Sequence, residues 1–280
     1  MRIWMWVWLA LAAPLPVWAA SGPVFSDTGP DAAAYGAAQG YPALRGNAAT
    51  MPQQYLVGTY SHYDTLYPSH RVGKPPQASL LRRAAQEITL SYRYKGAEYS
   101  LDDYLERNPT TGLLIVHGDT ILFEHYRYGR TDRDRLTSWS MAKTVTAMLL
   151  GIAVSEGAIR SIDQPAADYV PELAGSEYGK TPIRDLLHMA SGVAFTEVYD
   201  GADDNAKLVR MRASAANPGA ARALAIFNTR EVPPGTRFHY ASSETRCSGL
   251  SSPTRCVCRL PPIWRAASGS RWAQKRMRPG

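Results

Sequence analysis

The chain has 280 residues, of which 45% are hydrophobic and 20% are charged, and its formal net charge is +7. This hydrophobic fraction is typical of a globular protein. The charge does not indicate a nucleic-acid-binding protein, because the seven arginines and one lysine after Thr245 account for all of it and no nucleic-acid-binding motif accompanies them.

The first nineteen residues have the three parts of a secretory signal peptide. Met1-Arg2 is the short basic start, residues 3–13 are an apolar run, and residues 17–19 form a small-residue cleavage signal. Pro14 and Pro16 interrupt the apolar run, which favours a cleaved signal over a membrane span, with an uncleaved anchor as the alternative. We therefore expect a periplasmic or secreted protein without stable membrane association after cleavage.

The next hundred residues predict an extended segment followed by a hairpin. Residues 20–76 are rich in Gly, Pro, Ala and Tyr without apolar periodicity, and we assign residues 20–100 to an N-terminal arm and extension. Residues 78–94 begin with a helical pattern and then become mixed. Residues 112–116 and 120–126 are strand-like runs on either side of His117-Gly118-Asp119, a turn-forming triplet, and they predict a β-hairpin.

Two helices are predicted in the second half of the chain. Residues 140–156 are apolar nearly all round, so this helix is expected to be buried centrally and to end at Gly157. Residues 181–189 predict a shorter helix with Thr181 as N-cap and Pro182 at its first position. Beyond Glu244 the periodicity ends, and residues 246–280 have the composition of an aberrant basic tail, as if translated in a wrong reading frame.

The sequence predicts neither a metal site nor a cofactor. Cys247, Cys256 and Cys258 lie in the basic tail without acidic or histidine neighbours, and we expect them to be neither structural nor catalytic. The acidic pairs Asp102-Asp103 and Asp203-Asp204 have no histidine at ligand spacing. Helix-cap or solvated loop roles are favoured for them.

The tetrapeptide Ser140-Met141-Ala142-Lys143 carries the clearest chemical signal. Residues three apart on a helix lie on one face, so the serine hydroxyl and the lysine amine can meet. A serine hydroxyl attacks poorly at neutral pH unless a base takes its proton, and a lysine can do this if its amine is kept neutral. A solvated lysine at an ordinary helix start is the alternative interpretation of the same spacing.

Residues 101–245 resemble the serine β-lactamase and penicillin-binding-protein superfamily, in the class C-like branch that includes esterases and aminohexanoate-dimer hydrolases. The resemblance rests on five blocks in a fixed order: residues 124–126, 138–143, 169–178, 185–192 and 233–242. It implies an α/β (α+β) fold with an antiparallel sheet flanked by helices and a helical subdomain. Residues 197–200 and the third block are most similar to the aminohexanoate-dimer hydrolases.

The resemblance also implies roles for five residues. Ser140 would be the nucleophile and Lys143 would help to take its proton. Tyr240, in a Tyr-x-Ser motif, would pass the proton to the leaving group and activate the deacylating water. Ser242 would hydrogen-bond the lysine or the substrate, and Tyr199 would contact the substrate. The expected partner is a small-molecule amide or ester.

Some features depart from this pattern. No third motif follows Tyr240 to supply an oxyanion donor from an edge strand, so the domain is expected to be incomplete at its C-terminal side. Two function classes follow: a serine hydrolase working through an acyl-enzyme, or a non-catalytic remnant or binding module. Within enzymes, β-lactamase and D-alanyl-D-alanine carboxypeptidase activities are alternatives. A Ser-His-Asp triad is disfavoured, because no Gly-x-Ser-x-Gly elbow surrounds Ser140, and structural roles are expected for His117, His125, His188 and His239.

Overall fold

The computed structural model describes residues 22–46, 50–69, 71–72, 80–214 and 218–250. The predicted signal peptide, Cys256, Cys258 and the tail beyond residue 250 lie outside these residues. The chain divides into two compact units. The first takes its residues from Met1–Gly46, Met51–Tyr67 and Leu80–Leu136, and the second from Asn47–Thr50, Pro68–Ser79 and Thr137–Gly280. Within the described part of the chain, no helix has the length and apolar character needed to cross a membrane.

All named strands lie in the first unit. In chain order they are β1 (Val24–Phe25), β2 (Arg82–Arg83), β3 (Ser91–Tyr94), β4 (Ala97–Ser100), β5 (Gly112–His117) and β6 (Thr120–Tyr126). The predicted hairpin is confirmed: β5 and β6 pair antiparallel, and Gly118 in the turn between them has φ 62°. β1 and β2 both pair with β6 in parallel, so the sheet is mixed rather than purely antiparallel. β3 and β4 form a separate two-stranded hairpin.

The first unit also contains three short helices: α1 (Leu56–Ser61), α2 (Tyr63–Leu66) and α3 (Leu101–Arg107). Asp103 caps α3 through a reciprocal capping box with Ser100, as expected for a cap rather than a metal ligand. Residues 20–76 contribute β1 and part of a small aromatic cluster in which Tyr41 and Tyr128 are buried. The helix predicted at the start of residues 78–94 is not present, because the described residues there form β2, β3 and irregular backbone.

The second unit is helical in the residues described. Its helices are α4 (Ala142–Ser155), α5 (Glu177–Lys180), α6 (Ile183–Leu187), α7 (Asp204–Ala213), α8 (Ala220–Ala225) and α9 (Ser242–Leu250). The main apolar cluster includes Tyr178, Leu186, Phe195 and Leu224. This cluster fixes α5 to α9 as one body, on which the loops between the helices are held.

The predicted helix after Ser140 is present as α4, but it is not buried centrally. Leu150 and Ala153 are its buried residues, whereas Met148 is 43% exposed and Val154 is 37% exposed. One face of α4 packs on Ile159 and Ile183. The remaining apolar side chains of α4 reach the protein surface.

Three local predictions near α6 and α9 need correction. Thr181 does not cap α6, because Pro182 is its N-cap and the Thr181 hydroxyl donates to the Glu177 carbonyl instead. The periodicity does not end at Glu244, because α9 continues through Arg246 to Leu250. Cys247 is fully buried in the apolar cluster, so this cysteine does have a packing role.

Candidate active site

Ser140 lies in a 3₁₀ turn, Trp139–Met141, that leads directly into α4. Lys143 is the second residue of α4, and its Nζ donates a hydrogen bond of 2.8 Å to Ser140 Oγ. The spacing of three residues therefore brings the two groups together, as expected. Trp139 has φ 44°, a left-handed conformation that costs energy in a residue with a side chain.

Tyr240 completes a three-way contact with this pair. Its Oη lies 2.6 Å from Ser140 Oγ and accepts a hydrogen bond of 2.7 Å from Lys143 Nζ. Burial raises the pKa of the Tyr240 phenol, but hydrogen bonds from Lys143 and Ser140 and the charge of Lys143 outweigh it, so the pKa lies below its ordinary value of 10.0. A lowered pKa makes the phenolate more accessible at neutral pH.

The two residues expected to bind substrate, Ser242 and Tyr199, both contact Glu197. Ser242 Oγ donates to Glu197 Oε1 over 2.7 Å, and Tyr199 Oη donates to the same oxygen over 2.8 Å. The Ser242 hydroxyl proton is therefore directed at Glu197 rather than at Lys143. Partial burial and the bond to Glu197 raise the pKa of Tyr199 to about 12, so this phenol stays protonated.

The turn that carries Tyr199 is organised by Asp203. Its carboxylate accepts hydrogen bonds from the backbone N–H groups of Val198 and Tyr199, and it also caps α7 through the N–H of Ala206. This is the cap role expected for Asp203. Tyr199 itself has φ 61° and is 57% exposed, so the turn presents its ring to solvent.

Backbone hydrogen bonds join the loop that carries Tyr240 to the turn after α6. The His239 N–H donates to the Met189 carbonyl over 2.7 Å, and the Gly235 N–H donates to the Ala190 carbonyl over 2.8 Å. Gly192, in the same turn, has φ 73°, and a Cβ there would lie 2.0 Å from the Val232 carbonyl oxygen. Only glycine fits this close approach of two backbones.

Two side chains, Glu244 and Arg230, form hydrogen bonds with this turn; Glu244 is buried and Arg230 is partly exposed. The carboxylate of Glu244, on α9, accepts a hydrogen bond of 2.7 Å from Ser191 Oγ. Burial, only partly offset by these hydrogen bonds, raises the pKa of Glu244 to about 7. The guanidinium of Arg230 donates to the Ser191 carbonyl, to Thr181 Oγ1 and to Glu177. The sequence assigned no role to Arg230 or Glu244, because neither lies in one of the ordered blocks, and it placed Glu197 in the segment 197–200 without assigning a role to its side chain.

The histidines make contacts that do not involve Ser140. His125 Nε2 lies 2.8 Å from Glu87 Oε2, and His239 Nε2 lies 2.8 Å from the Phe195 carbonyl. Among the described residues, no group of three or more His, Cys, Asp or Glu side chains could hold a metal ion. A cavity of about 360 Å³ lies in the first unit, beside β1 and β6, where its charged lining residues Glu106 and Arg127 pair with each other.

The described residues that follow Tyr240 do not include the edge strand on which the resemblance places a second oxyanion donor. The described residues from 137 to 250 form isolated bridges but no strand, so this part of the chain offers no edge strand on which a donor could lie. The Ser140 N–H, at the turn before α4, is one backbone donor at a helix start, where the helix macrodipole favours negative charge.

The family profile described as Beta-lactamase matches residues 101–245. The chain belongs to the beta-lactamase family. The matched residues contain Ser140, Lys143 and Tyr240, together with Glu197, Arg230 and Glu244. The resemblance inferred from the ordered blocks is thereby confirmed at the level of the family.

Relatives with hydrolase names agree with this assignment. Over 99 residues the chain is 34% identical to the 6-aminohexanoate-dimer hydrolase of Paenarthrobacter ureafaciens, an alignment covering 35% of this chain and 25% of that protein. A solved Bacillus anthracis protein, provisionally assigned as a 6-aminohexanoate-dimer hydrolase, superposes with a TM-score of 0.59 at 21% identity, covering 71% of this chain and 55% of that one. The latter similarity shows the β-lactamase-type fold. The aligned part of the chain thus spans about a quarter of the Paenarthrobacter protein and about half of the Bacillus anthracis protein.

Proposed function

We propose that the protein is a serine hydrolase that cleaves an amide or ester through a covalent acyl-enzyme on Ser140. The observation that carries this proposal is the three-way contact of Ser140 Oγ, Lys143 Nζ and Tyr240 Oη, with all three pairs within 2.8 Å. A nucleophile, a cation and an oxygen base at these distances are the parts that acyl transfer needs.

In the proposed acylation, Tyr240 is the base. Its phenolate takes the Ser140 proton as Oγ attacks the substrate carbonyl, and the backbone N–H of Ser140 stabilises the oxyanion. The C–N or C–O bond then breaks, and the leaving group takes the proton from Tyr240 Oη. Lys143 acts as the cation that lowers the pKa of Tyr240 and holds both oxygens.

In the proposed deacylation, the same phenolate removes a proton from a water molecule. The resulting hydroxide attacks the acyl carbonyl, the bond to Ser140 Oγ breaks, and Oγ takes the proton back from Tyr240. The products are a carboxylic acid and the free enzyme. No cofactor is required at any step.

The substrate is proposed to be a small amide or ester, with linear oligoamides favoured by the name of the Paenarthrobacter relative. The exposed side chains around Ser140, among them Trp139 and Met141, provide an apolar surface for an aliphatic acyl group. Residues 1–19 support export, and a periplasmic or secreted location is part of the proposal.

A non-catalytic binding protein is the second candidate. It is favoured by the absence of a strand in the described residues from 137 to 250, because loss of one oxyanion donor costs about 10²–10³ in rate. The same residues around Ser140 could bind a carbonyl ligand without turning it over.

The two candidates are separated by hydrolysis of p-nitrophenyl acetate and of a linear aliphatic amide. The hydrolase predicts turnover with a burst of nitrophenol equal to the enzyme concentration, and its loss in Ser140→Ala. Ser138→Ala, an exposed serine two residues away, is the matched control and is expected to retain turnover. Turnover that persists in Ser140→Ala would refute the proposal. Binding without turnover in the wild type would favour the binding protein.

A further inference from the structure

Glu197 contacts both segments that flank the candidate site. Its Oε2 accepts the backbone N–H of Ser242 over 2.6 Å, and its Oε1 accepts the hydroxyls of Ser242 and Tyr199 over 2.7 and 2.8 Å. The carboxylate therefore receives three hydrogen bonds from neutral donors. Among the described residues, no Lys, Arg or His forms an ion pair with it, and Arg246 on α9 interacts with it only through longer-range charge.

The bond to the Ser242 N–H is placed at the start of a helix. Ser242 is the first residue of α9, where backbone N–H groups have no partner within the helix. A carboxylate at this end also interacts favourably with the helix macrodipole. Glu197 thus acts as a cap for α9 that comes from a segment 45 residues earlier in the chain.

Fixing the start of α9 also fixes Tyr240, which lies two residues before it. Ala241, between them, is fully buried, and the N–H of His239 on the other side is bound to Met189. The backbone of Tyr240 is therefore held on both sides. The hydrogen bond at His239 joins two backbone groups, whereas the one at Ser242 depends on the side chain of Glu197. This side chain can be replaced without altering the backbone.

We infer that Glu197 is a positioning residue, which holds the Tyr240 loop so that Tyr240 Oη stays within reach of Ser140 Oγ and Lys143 Nζ. This inference rests on the proposed function, in which Tyr240 is the base. A misplacement of about 1 Å in a reacting group can reduce a rate about 100-fold, so a side chain that does not touch substrate can matter this much.

Glu197→Gln tests the contact with Ser242 without changing the size of the side chain. Glu197 accepts the Ser242 N–H and the Ser242 hydroxyl on two separate oxygens, whereas a carboxamide has one acceptor oxygen and an N–H2 donor group in place of the other, so one of the two bonds loses its acceptor at that position. Glu231→Gln is the matched control, because Glu231 is exposed and pairs with Arg237 on the surface. Hydrogen–deuterium exchange of the peptide covering residues 239–243 is expected to be at least about tenfold faster in Glu197→Gln and unchanged in Glu231→Gln.

The effect on the reaction is measured by the rate at which a fluorophosphonate labels Ser140. Glu197→Gln is expected to label about 10–100 times more slowly, and Ser242→Ala, which keeps the backbone bond, is expected to lose less. The acid limb of the labelling rate should move to higher pH in Glu197→Gln, because the contacts that lower the pKa of Tyr240 lengthen. Loss of a negative charge alone would move this limb to lower pH.

Each outcome decides the inference. Faster exchange together with slower labelling supports it. Unchanged exchange, or faster exchange with unchanged labelling, would overturn it while leaving the proposed function intact. A wild-type protein that is protected at Ser242 but never labelled at Ser140 would refute the proposed function, and the inference would fall with it.

Discussion

At the scale of single residues, the hydroxyl of Tyr240 is the atom on which the proposed chemistry depends. Tyr240→Phe keeps a ring near Lys143 Nζ, which lies 4.9 Å from the ring centroid, but it removes the oxygen that contacts both Ser140 Oγ and Lys143 Nζ. We expect acylation by p-nitrophenyl acetate to fall about 10²–10⁴-fold, as for loss of a general base.

The pH dependence follows from the same residue. Because the proposed base is the Tyr240 phenolate and the pKa of Tyr240 lies below 10.0, the wild-type rate should rise with pH and level off before pH 10. Pre-steady-state acylation rates between pH 5 and pH 10 measure this limb. A wild-type profile without such a limb, or one that Tyr240→Phe leaves in place, would remove Tyr240 from the role of base.

Lys143→Arg tests whether the residue at position 143 acts as a cation or as the base that takes the Ser140 proton. Arginine keeps the positive charge but does not deprotonate, so it can lower the pKa of Tyr240 but cannot take the Ser140 proton. We expect Lys143→Arg to acylate more slowly than the wild type and faster than Lys143→Ala. Equal rates in the two variants would return the role of base to a neutral Lys143.

Glu244 makes the stability of the protein depend on pH. Its pKa is about 7 in the folded protein against an ordinary value of 4.5, so the folded state binds more protons between these values. The contribution of Glu244 to the free energy of unfolding is therefore largest below pH 4.5. This contribution falls by roughly 3 kcal/mol as the pH rises through about 7. Asp185, which also raises the pKa of Glu244, and the buried Cys247 and Tyr178 are the titratable groups that face it.

Glu244→Gln removes this titration. The variant is expected to lose the decrease in stability between pH 5 and pH 8 and to exceed the wild type at pH 8, as measured by urea unfolding at both values. Glu231→Gln, at an exposed site, should behave as the wild type. A Glu244→Gln variant with the wild-type pH dependence would assign that dependence to other groups.

The residues of the site differ in how far the sequence could predict them. Ser140 and Lys143 are three residues apart, and helical spacing alone brings them together. Tyr240 is 97 residues from Lys143, and only the resemblance to a family assigned it to the same site. Glu197 was missed as an acceptor because its position opposite Ser242 depends on the packing of the whole second unit.

At the scale of elements, Arg230 joins α5 to the turns at either end of α6. Its guanidinium donates 2.5 Å to Glu177 Oε2 and 2.6 Å to the Glu177 carbonyl, and it also reaches Thr181 and Ser191. Arg230→Lys keeps the charge but cannot reach these acceptors together, so we expect a loss of about 2–3 kcal/mol in the free energy of unfolding.

Arg184→Lys is the control for this change. Arg184 donates 2.6 Å to Asp163 in a pair that is exposed on both sides, so its replacement is expected to cost less than about 0.5 kcal/mol. Chemical denaturation of both variants gives the comparison. A loss at Arg230→Lys no larger than at Arg184→Lys would show that the network contributes little to stability.

Some helices and strands could be predicted from the sequence and others could not. The β5–β6 hairpin followed from local alternation and a turn triplet, and α4 followed from a long apolar run. The end of α9 and the burial of Cys247 did not, because the segment after Glu244 has little periodicity of its own and is ordered by packing on α4, α6 and α8. The prediction that α4 is buried centrally was wrong. An apolar sequence favours burial but does not supply the packing partners, and the described residues cover only one face of α4.

At the scale of the whole molecule, the exposed apolar side chains of α4 are expected to promote self-association. Met148→Gln/Val154→Gln replaces two exposed apolar residues on this helix. The double variant should scatter less light on warming and bind less of a hydrophobic dye, with a melting temperature close to that of the wild type. Leu150→Gln, at a buried position on the same helix, should lower the melting temperature instead. Equal dye binding by the double variant and the wild type would show that the apolar surface lies elsewhere.

The nucleophilic reactivity of Ser140, which the proposed acyl-enzyme requires, can be measured by mass spectrometry after exposure of the protein to a fluorophosphonate, which phosphonylates a reactive serine and releases fluoride. The predicted result is one adduct per chain, located on the peptide that contains Ser140, present in Ser138→Ala and absent in Ser140→Ala. The three-way contact with Lys143 and Tyr240 is the reason that this serine should react. An unmodified wild-type protein, or an adduct that remains in Ser140→Ala, would contradict the assignment of Ser140 as the nucleophile.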